Sequence, residues 1–331
     1  MRPVITPRTD IRIAGIGTYI PAGRASNTDR LEFFGLTDEF MRGKLGVVSR
    51  AIKSDDEEPS DLCVKSLADL RAQLDIDLSQ VQLCCVVTQN PDQNVPHTAA
   101  IVHNKLGLSK SCMTFDLSQG CAGYVHGLAV VASIMATLGL DNALLFTADP
   151  YSKIIDPEDK RTALIFGDAA TVTYLVKGRP GYAFVDASFG TEPGSTKCLV
   201  VENPMKAISA GAPAPRLQMD GAAVLYYATR NVPPSIRSLL ANNGLTIEDI
   251  DRFLLHPGSL HLIELLKKEL KLPAAKVPVE IQDHGNTISS SIPLLLKKEV
   301  TNKSSRRLFL SGFGVGFTWG SCILELRDQN G

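Results

Sequence analysis

The sequence predicts an α/β protein with mixed sheets, built from two related halves. Strand-like and helix-like runs alternate along the 331 residues, which is typical of sheets covered by helices. The order of strand, glycine turn and largely apolar helix occurs once in each half. The length, with Lys+Arg 34 balancing Asp+Glu 35, allows a large buried core.

The first half begins with a strand over 11–20 that ends in a glycine turn. An amphipathic helix follows over 60–74, where Ser60 and Asp61 provide a cap. The remaining predicted elements are a strand over 83–89, a helix over 97–108, a strand over 112–118, a long apolar helix from about 121, and strands over 143–149 and 171–178.

The second half has the same alternation of elements. Its predicted elements are a helix over 222–243, a strand over 252–256, a helix over 259–271, a short strand near 277–283, a helix over 287–299, and strands over 307–312 and 319–326.

An internal duplication explains this similarity. FDLSQGCAGYVHGLAVV and IQDHGNTISSSIPLLLKK share one order of elements, and each precedes a strand and a glycine-bearing hairpin. In that register Cys121 corresponds to Asn286, and pseudo-twofold packing would bring the two helix starts together. We predict a half at 1–180 that carries the cysteine and a half at 181–331, with the Pro/Gly/Ala segment at 203–216 as the seam.

Composition argues against several classes of partner. A net charge of -1 leaves no surplus of Lys and Arg for nucleic acid. Short basic runs such as 267–268 are interpreted as solvated helix faces, with a weak dock for an acidic carrier as the alternative. The uncharged stretch from Cys121 to Leu140 approaches the length of a membrane span, but it runs into Asp141 and a strand pattern. We therefore expect a helix buried all round, no export signal, and a cytoplasmic protein without a membrane partner.

Most of the seven cysteines are expected to be structural. No C-x-x-C pair occurs, and the Cys/His spacing fits no structural zinc site. Cys84 and Cys85 lie in a buried-strand pattern, and disulfides are not expected in a cytosolic enzyme.

Cys121 has a different setting, because it follows Gly120 at the predicted start of a helix. Free N–H groups and the partial positive charge there favour a thiolate. Gly120 and Gly123 allow a sharp turn and a close approach of substrate. A core role is the alternative, but the position at the turn favours a nucleophile.

Two further polar residues stand at ends of predicted elements. His256 ends a buried strand before a Pro-Gly turn, which is where open α/β sheets place their sites. The alternatives are a histidine that caps a turn and, for Asn286, a helix N-cap. The other histidines, at 97, 103, 126, 261 and 284, are interpreted as packing or surface residues.

Five motifs together resemble the β-ketoacyl-ACP synthase III family along most of the chain. They are DLSQGCAGY around Cys121, IFGDAA at 165–170, FLLHPGS around His256, HGNTISSSIP around Asn286, and GFGVGFTWGS at 312–321. The resemblance implies a thiolase fold, with two pseudo-symmetric halves in a layered α-β-α-β-α sandwich, and a homodimer.

The resemblance also implies a mechanism. The family's nucleophile falls on Cys121, its histidine on His256 and its asparagine on Asn286. The N–H groups of Cys121 and Val315 would hold the oxyanion, and His256 and Asn286 would stabilise an enolate formed when a malonyl-type thioester loses carbon dioxide. No metal or redox cofactor is expected. The expected partners are acyl carrier protein or coenzyme A thioesters.

The chain departs from the family pattern at the expected entrance for substrate or carrier. Phe40 replaces a tryptophan that resembles a stacking surface for coenzyme A, and Lys44 and Lys153 stand where arginines are common. Lysine lacks the planar fork that grips phosphate, which favours a carrier-protein donor. Val95 stands where a phenylalanine often reaches into the partner subunit's acyl pocket, so a longer or branched acyl chain is expected.

These departures favour a specialised enzyme of fatty-acid or polyketide-like synthesis over the general initiator. HPGS also resembles the His-Pro-Gly-Gly of chalcone-synthase-type enzymes, and Val315 replaces a glycine. Two alternatives stay open. One is a non-condensing acyltransferase that passes the acyl group to an alcohol or amine. The other is a catalytically silent partner subunit, which the intact triad disfavours.

Overall fold

The computed structural model describes residues 10–203, 211 and 213–328. The strands are β1 (Ile11–Tyr19), β2 (Gly23–Ser26), β3 (Ser49–Ile52), β4 (Leu83–Val87), β5 (Met113–Leu117), β6 (Asn142–Ala148), β7 (Ala170–Lys177), β8 (Gly181–Thr191), β9 (Leu199–Val200), β10 (Gln218–Met219), β11 (Arg252–Leu255), β12 (Arg307–Gly314) and β13 (Thr318–Arg327).

The helices in the described part of the chain are α1 (Leu31–Phe34), α2 (Asp38–Phe40), α3 (Pro59–Arg71), α4 (Thr98–Leu106), α5 (Gly123–Leu138), α6 (Gly221–Asn242), α7 (Leu260–Leu270) and α8 (Ser291–Asn302). Short 3-10 turns lie at Thr28–Arg30, Leu78–Gln80, Tyr151–Lys153, Ala274–Lys276, Ile288–Ser290 and Val315–Phe317, and a π-type turn at Met41–Leu45. The first long helix, α3, starts at Pro59 with Glu58 as its N-cap, slightly before the predicted cap at Ser60 and Asp61.

Nine strands form one mixed sheet in the order β11-β12-β13-β8-β1-β7-β6-β4-β5. The two halves of this sheet repeat one pairing pattern. In the first half β4 pairs parallel with β6, β6 antiparallel with β7, and β7 antiparallel with β1. In the second half β11, β12, β13 and β8 repeat these three pairings in the same order. A short contact between β1 and β8 joins the halves.

Helices cover these half-sheets in three layers, each with its own apolar core. The middle layer is α5 with α8, which both contact strands of the two halves. The helices α3 and α4 cover the outer face of the first half. The helices α6 and α7 cover the outer face of the second half. This arrangement confirms the layered α-β-α-β-α sandwich of two pseudo-symmetric halves.

The apolar helix α5 is buried at its start but not along its whole length. Tyr124, Val125 and Leu128 are buried, whereas Leu138 in the last turn is 61% exposed. The expectation of a helix buried all round is therefore wrong for the last turn. Among the described residues, no helix combines the length and apolar character needed to cross a membrane.

The segment 277–283 does not form the strand predicted there. In the second half this segment occupies the position that β5 has in the first half. Each precedes the middle-layer helix of its half, α8 and α5 respectively. The N–H groups of Val48 and Ser49 both donate to the carbonyl of Gln282, so this segment hydrogen-bonds to the start of β3. The predicted seam at 203–216 lies mostly outside the described residues, and the division at residues 180 and 181 stays a prediction.

Candidate active site

Cys121 lies between β5 and α5, at the turn that the glycines predict. The N–H of Gly123 donates to the carbonyl of Gly120 over 2.7 Å, which closes this turn. The cysteine is buried, and the backbone N–H groups of Cys121 and Val315 hydrogen-bond to its sulfur. A side chain at Gly314 would lie 2.9 Å from that sulfur, so only glycine fits there.

Burial controls the protonation of this thiol. Burial, and secondarily the charge of Asp149, raise the pKa of Cys121 to about 12, while the N–H groups of Cys121 and Val315 favour the thiolate. Since burial outweighs these donors, the resting side chain is a neutral thiol. The helix start does provide N–H donors, but burial outweighs them. The expectation of a thiolate is therefore wrong.

His256 directly follows β11, as the sequence predicts. Its backbone N–H donates to the carbonyl of Ser311 on β12 over 2.9 Å, which fixes the histidine at the end of the parallel strand pair. The ring contacts Phe313 edge to face, with centroids 5.8 Å apart. Burial lowers the pKa of His256 to about 3, so the imidazole is neutral near pH 7.

Asn286 is held by the loop at Ile165–Gly167. Its N–H donates to the carbonyl of Ile165 over 2.8 Å, and its carbonyl accepts from the N–H of Gly167 over 3.0 Å. A side chain on Gly167 would lie 1.8 Å from the carbonyl oxygen of His284, so the close approach requires glycine. The IFGDAA motif therefore positions the asparagine.

The Asn286 side chain has both of the roles considered for it. Its Oδ1 accepts from the N–H of Ile288 over 2.9 Å, which caps the following 3-10 turn. Its Nδ2 lies 3.4 Å from Nε2 of His256. The capping bond orients the amide so that its nitrogen faces the histidine.

The buried side chains of Cys121, His256 and Asn286 line one cavity of about 130 Å³. Its walls are largely apolar and include Phe313 and Leu225. A second hollow of about 280 Å³ shares three of these lining residues, so the two adjoin. The shared residues are Ile165, Met219 and Gly221.

This second hollow, called the outer hollow below, contains one of the four predicted entrance residues. Phe40 lines it and is 44% exposed, whereas Lys44 is exposed in the next turn. Lys160 and Arg161 also line it. Sequence reasoning missed this basic pair, and the available signal was the adjacent Lys-Arg in DPEDKR.

Lys153 and Val95 lie at a different hollow from Phe40, and their role at an entrance stays a prediction. Lys153 bonds to Glu58 over 2.6 Å and to the carbonyl of Pro91 over 3.1 Å. It lines a different hollow of about 940 Å³, which Tyr151 and Val315 also line. Val95 follows Asn94 at the rim of that hollow and is 81% exposed.

Asp149 is a further buried group that sequence reasoning missed. It follows β6 and accepts from the N–H of Gln89 and from the hydroxyl of Ser289, each over 2.6 Å. Burial raises its pKa to about 6. Because Ser289 belongs to the turn after Asn286, this carboxylate connects that turn to the surroundings of Cys121.

Comparison with known proteins agrees with this architecture. The family model of 3-oxoacyl-[acyl-carrier-protein (ACP)] synthase III matches residues 115–193, and that of its C-terminal region matches 240–326. A β-ketoacyl-[acyl-carrier-protein] synthase III of Neisseria gonorrhoeae is 31% identical over 95% of this chain and 98% of its own.

Solved structures give the same result. The β-ketoacyl-[acyl carrier protein] synthase III from Thermus thermophilus superimposes with a TM-score of 0.87 at 31% identity, over 96% of this chain and 99% of its own. The priming β-ketosynthase of the R1128 polyketide biosynthetic pathway superimposes with a TM-score of 0.88 at 26% identity, over 96% and 97%. The chain therefore belongs to the β-ketoacyl-ACP synthase III family of thiolase-fold enzymes.

Proposed function

We propose that this protein is a condensing acyltransferase that loads an acyl group onto Cys121 and joins it to a malonyl-type thioester with loss of carbon dioxide. One observation carries the proposal. Cys121, His256 and Asn286 line one cavity, and two backbone N–H groups hydrogen-bond to the sulfur. A nucleophile, a neutral base and an amide donor are the groups that the two half-reactions need.

In the loading step, the sulfur of Cys121 attacks the carbonyl carbon of an acyl thioester. His256 takes the thiol proton at Nε2, and the N–H groups of Cys121 and Val315 hold the oxyanion. The tetrahedral intermediate then collapses, the bond to the donor's sulfur breaks, and the donor leaves as a thiol with the proton from His256. The acyl group stays on Cys121, and the imidazole is neutral again.

In the condensation step, the bond from the malonyl carbon to its carboxylate breaks and carbon dioxide leaves. The electron pair becomes an enolate, whose oxygen accepts from Nδ2 of Asn286 and from His256 after Nε2 has taken up one proton from solvent. The enolate carbon attacks the acyl carbonyl, and Cys121 departs as a thiolate that takes this proton. The β-ketoacyl thioester is released. The proposed chemistry requires no metal or redox cofactor, and that expectation stays a prediction.

We propose acyl thioesters of a carrier protein or of coenzyme A as the substrates. The relatives described above are named β-ketoacyl-[acyl-carrier-protein] synthases III. The cavity and the outer hollow adjoin and are largely apolar, and Lys160 and Arg161 line the outer hollow. This arrangement suits a thioester arm that ends in a phosphate. A homodimer is also proposed, because Val95 is exposed at the rim of a hollow that a second copy would cover. The cytoplasmic location stays a prediction.

A specialised role is proposed over general initiation of fatty-acid synthesis. Phe40 at the mouth and Val315 at the oxyanion site depart from the family pattern, and both change groups that face substrate. A priming β-ketosynthase of polyketide synthesis is among the structures with the same fold. We propose a donor other than the smallest acyl groups, because the hollow beside Val315 has a volume of about 940 Å³.

The test incubates purified protein with a panel of acyl-coenzyme A and acyl-carrier thioesters, then with malonyl-carrier, and identifies products by mass spectrometry. We expect a β-ketoacyl product that is lost in Cys121→Ala and kept in Cys112→Ala, a matched loss of a buried cysteine outside the cavity. Transfer of the acyl group to an added alcohol or amine, without condensation, would overturn the proposal in favour of the acyltransferase alternative. The absence of any adduct with every donor would favour a silent subunit.

A further inference from the structure

A buried serine at the start of α8 determines which nitrogen of His256 carries the proton. The Oγ of Ser291 lies 2.6 Å from Nδ1 of His256 and 2.8 Å from the carbonyl oxygen of Ile288. A hydroxyl has one proton to donate, and a carbonyl oxygen can only accept. Ser291 therefore donates to Ile288 and accepts from His256, which requires a proton on Nδ1.

The other side of the ring leads to the same tautomer independently. Oδ1 of Asn286 accepts from the N–H of Ile288, so the amide nitrogen must be the atom that faces His256. An amide nitrogen donates and does not accept. Its neighbour at 3.4 Å, Nε2 of His256, is therefore the nitrogen without a proton.

Burial makes this arrangement selective. His256, Asn286 and Ser291 are 2%, 3% and 4% exposed, so an unmatched donor or acceptor among them has no solvent to compensate it. In the reverse tautomer, the N–H at Nε2 would face the N–H of the Asn286 amide. The hydroxyl of Ser291 could then donate to Nδ1 or to the carbonyl of Ile288, but not to both. Hydrogen bonds of this kind select the tautomer of buried histidines.

We propose that Ser291 is a positioning residue that holds His256 in the Nδ1–H tautomer, so that Nε2 is a proton acceptor in the cavity that Cys121 lines. The consequence for catalysis rests on the proposed function. In the resting enzyme, Nε2 accepts the thiol proton of Cys121 during loading. It donates to an enolate only after it has received a proton, so Ser291 favours loading more directly than decarboxylation.

The first test is spectroscopic and needs no activity. Protein with ¹⁵N-labelled histidine rings is studied by NMR, in which protonated and unprotonated ring nitrogens have well-separated shifts. The His256 signals are those missing from His256→Gln. We expect Nδ1 protonated and Nε2 unprotonated at pH 7 in the wild type, and a measurable share of the Nε2–H tautomer in Ser291→Ala, in which Asn286 alone still favours the Nδ1–H form. A wild type with the proton on Nε2, or an unchanged tautomer in Ser291→Ala, would overturn the proposal.

The second test measures single-turnover loading of Cys121 by mass spectrometry. Ser290→Ala is the matched control, because Ser290 is a buried serine of the same turn whose hydroxyl contacts Thr147 and Ala169, not His256. We expect Ser291→Ala to load about 10- to 100-fold more slowly than Ser290→Ala, which corresponds to one lost buried hydrogen-bond partner. Equal loading by the two variants would contradict the role of Ser291.

These results separate the two proposals. If the wild type shows the expected tautomer but forms no acyl adduct or no β-ketoacyl product, the proposed function fails and the assignment of Ser291 to the tautomer stands. If the wild type condenses but carries the proton on Nε2, the proposal for Ser291 fails and the proposed function stands.

Discussion

The Nε2 atom of His256 lies 3.4 Å from the Nδ2 atom of Asn286, in a cavity that Cys121 also lines. His256 follows a strand of one half-sheet, whereas Asn286 precedes a helix of the middle layer. The repeated strand pattern brings these two ends together with the start of α5. The fold therefore fixes the positions of Asn286 and Cys121 beside the imidazole, through the elements that carry them.

The first prediction concerns how the reactivity of Cys121 depends on pH. Proton transfer from the Cys121 thiol to His256 leaves the total protonation unchanged. With pKa values of about 3 for His256 and about 12 for Cys121, this internal ion pair is rarer than the thiolate that forms by loss of the proton to solvent. We therefore expect the rate of alkylation by iodoacetamide to rise about tenfold per pH unit from about pH 5 to 9.

The matched variant is His256→Ala, which lacks the acceptor. Its alkylation rate should rise with the same slope, because the thiolate forms by loss of the proton to solvent in both proteins. A wild-type rate that stays flat over this range would contradict the raised pKa of the Cys121 thiol. A wild-type step near pH 6.5 would mean that the imidazole is not held neutral by burial.

The second prediction concerns stability at acid pH. Burial lowers the folded-state pKa of His256 to about 3 from the ordinary 6.5, so the unfolded state binds a proton first. Stability that this neutral histidine contributes is present above pH 6.5 and is lost as the pH falls toward 3. Between pH 7.5 and 5, the wild type should lose about 2 kcal/mol of unfolding free energy relative to His256→Gln.

Urea unfolding at a series of pH values measures this difference. Asp149 has the opposite slope, because its raised pKa makes the folded state bind the proton first, but it is present in both proteins and cancels in the comparison. Parallel stability curves for wild type and His256→Gln would contradict the account of the histidine.

The third prediction concerns Lys160 and Arg161, the basic pair that lines the outer hollow. The double variant Lys160→Ala/Arg161→Ala should raise KM for acyl-coenzyme A by about 2- to 10-fold and leave kcat unchanged, because exposed charge pairs contribute about 0.2–1 kcal/mol each. Lys44→Ala is the control, since this exposed lysine does not line the outer hollow. Steady-state kinetics at low and moderate salt checks this, and an equal effect of Lys44→Ala would place the entrance elsewhere.

The fourth prediction concerns the length of the acyl chain. Val95→Phe should shift loading toward shorter acyl donors, because in the proposed homodimer this exposed position would carry the larger side chain into the acyl pocket of the partner subunit. Adduct formation from a mixed panel of acyl thioesters, followed by mass spectrometry, measures the preference. Leu138→Phe is the control at another exposed apolar position, and an unchanged profile in Val95→Phe would refute the role of Val95.

Much of the fold could be predicted because the elements have strong local signals. The glycine turn before Cys121 and the apolar pattern of β11 before His256 both appear where expected. The strand β8 was missed, although it joins the halves. Its sequence GYAFVDASFGT contains small residues and an internal Asp186, and both weaken the alternation by which strands are recognised.

The partners of the site residues could not be predicted in the same way. Ser291 and Asp149 act through hydrogen bonds that depend on packing between distant segments, such as Ser289 with Asp149 across 140 positions. Residue type alone does not distinguish them from other buried serines and aspartates. The position of Lys153 likewise depends on a distant partner, Glu58, which residue type alone does not reveal.

The mass of the intact protein before and after addition of a malonyl thioester tests the central claim most directly. Wild-type protein loaded with an acyl thioester should gain the acyl mass at Cys121, then return to its unmodified mass as a β-ketoacyl thioester appears in equal amount. An acyl adduct that persists after malonyl thioester is added, or that is lost only as the free acid, would contradict condensation at this site.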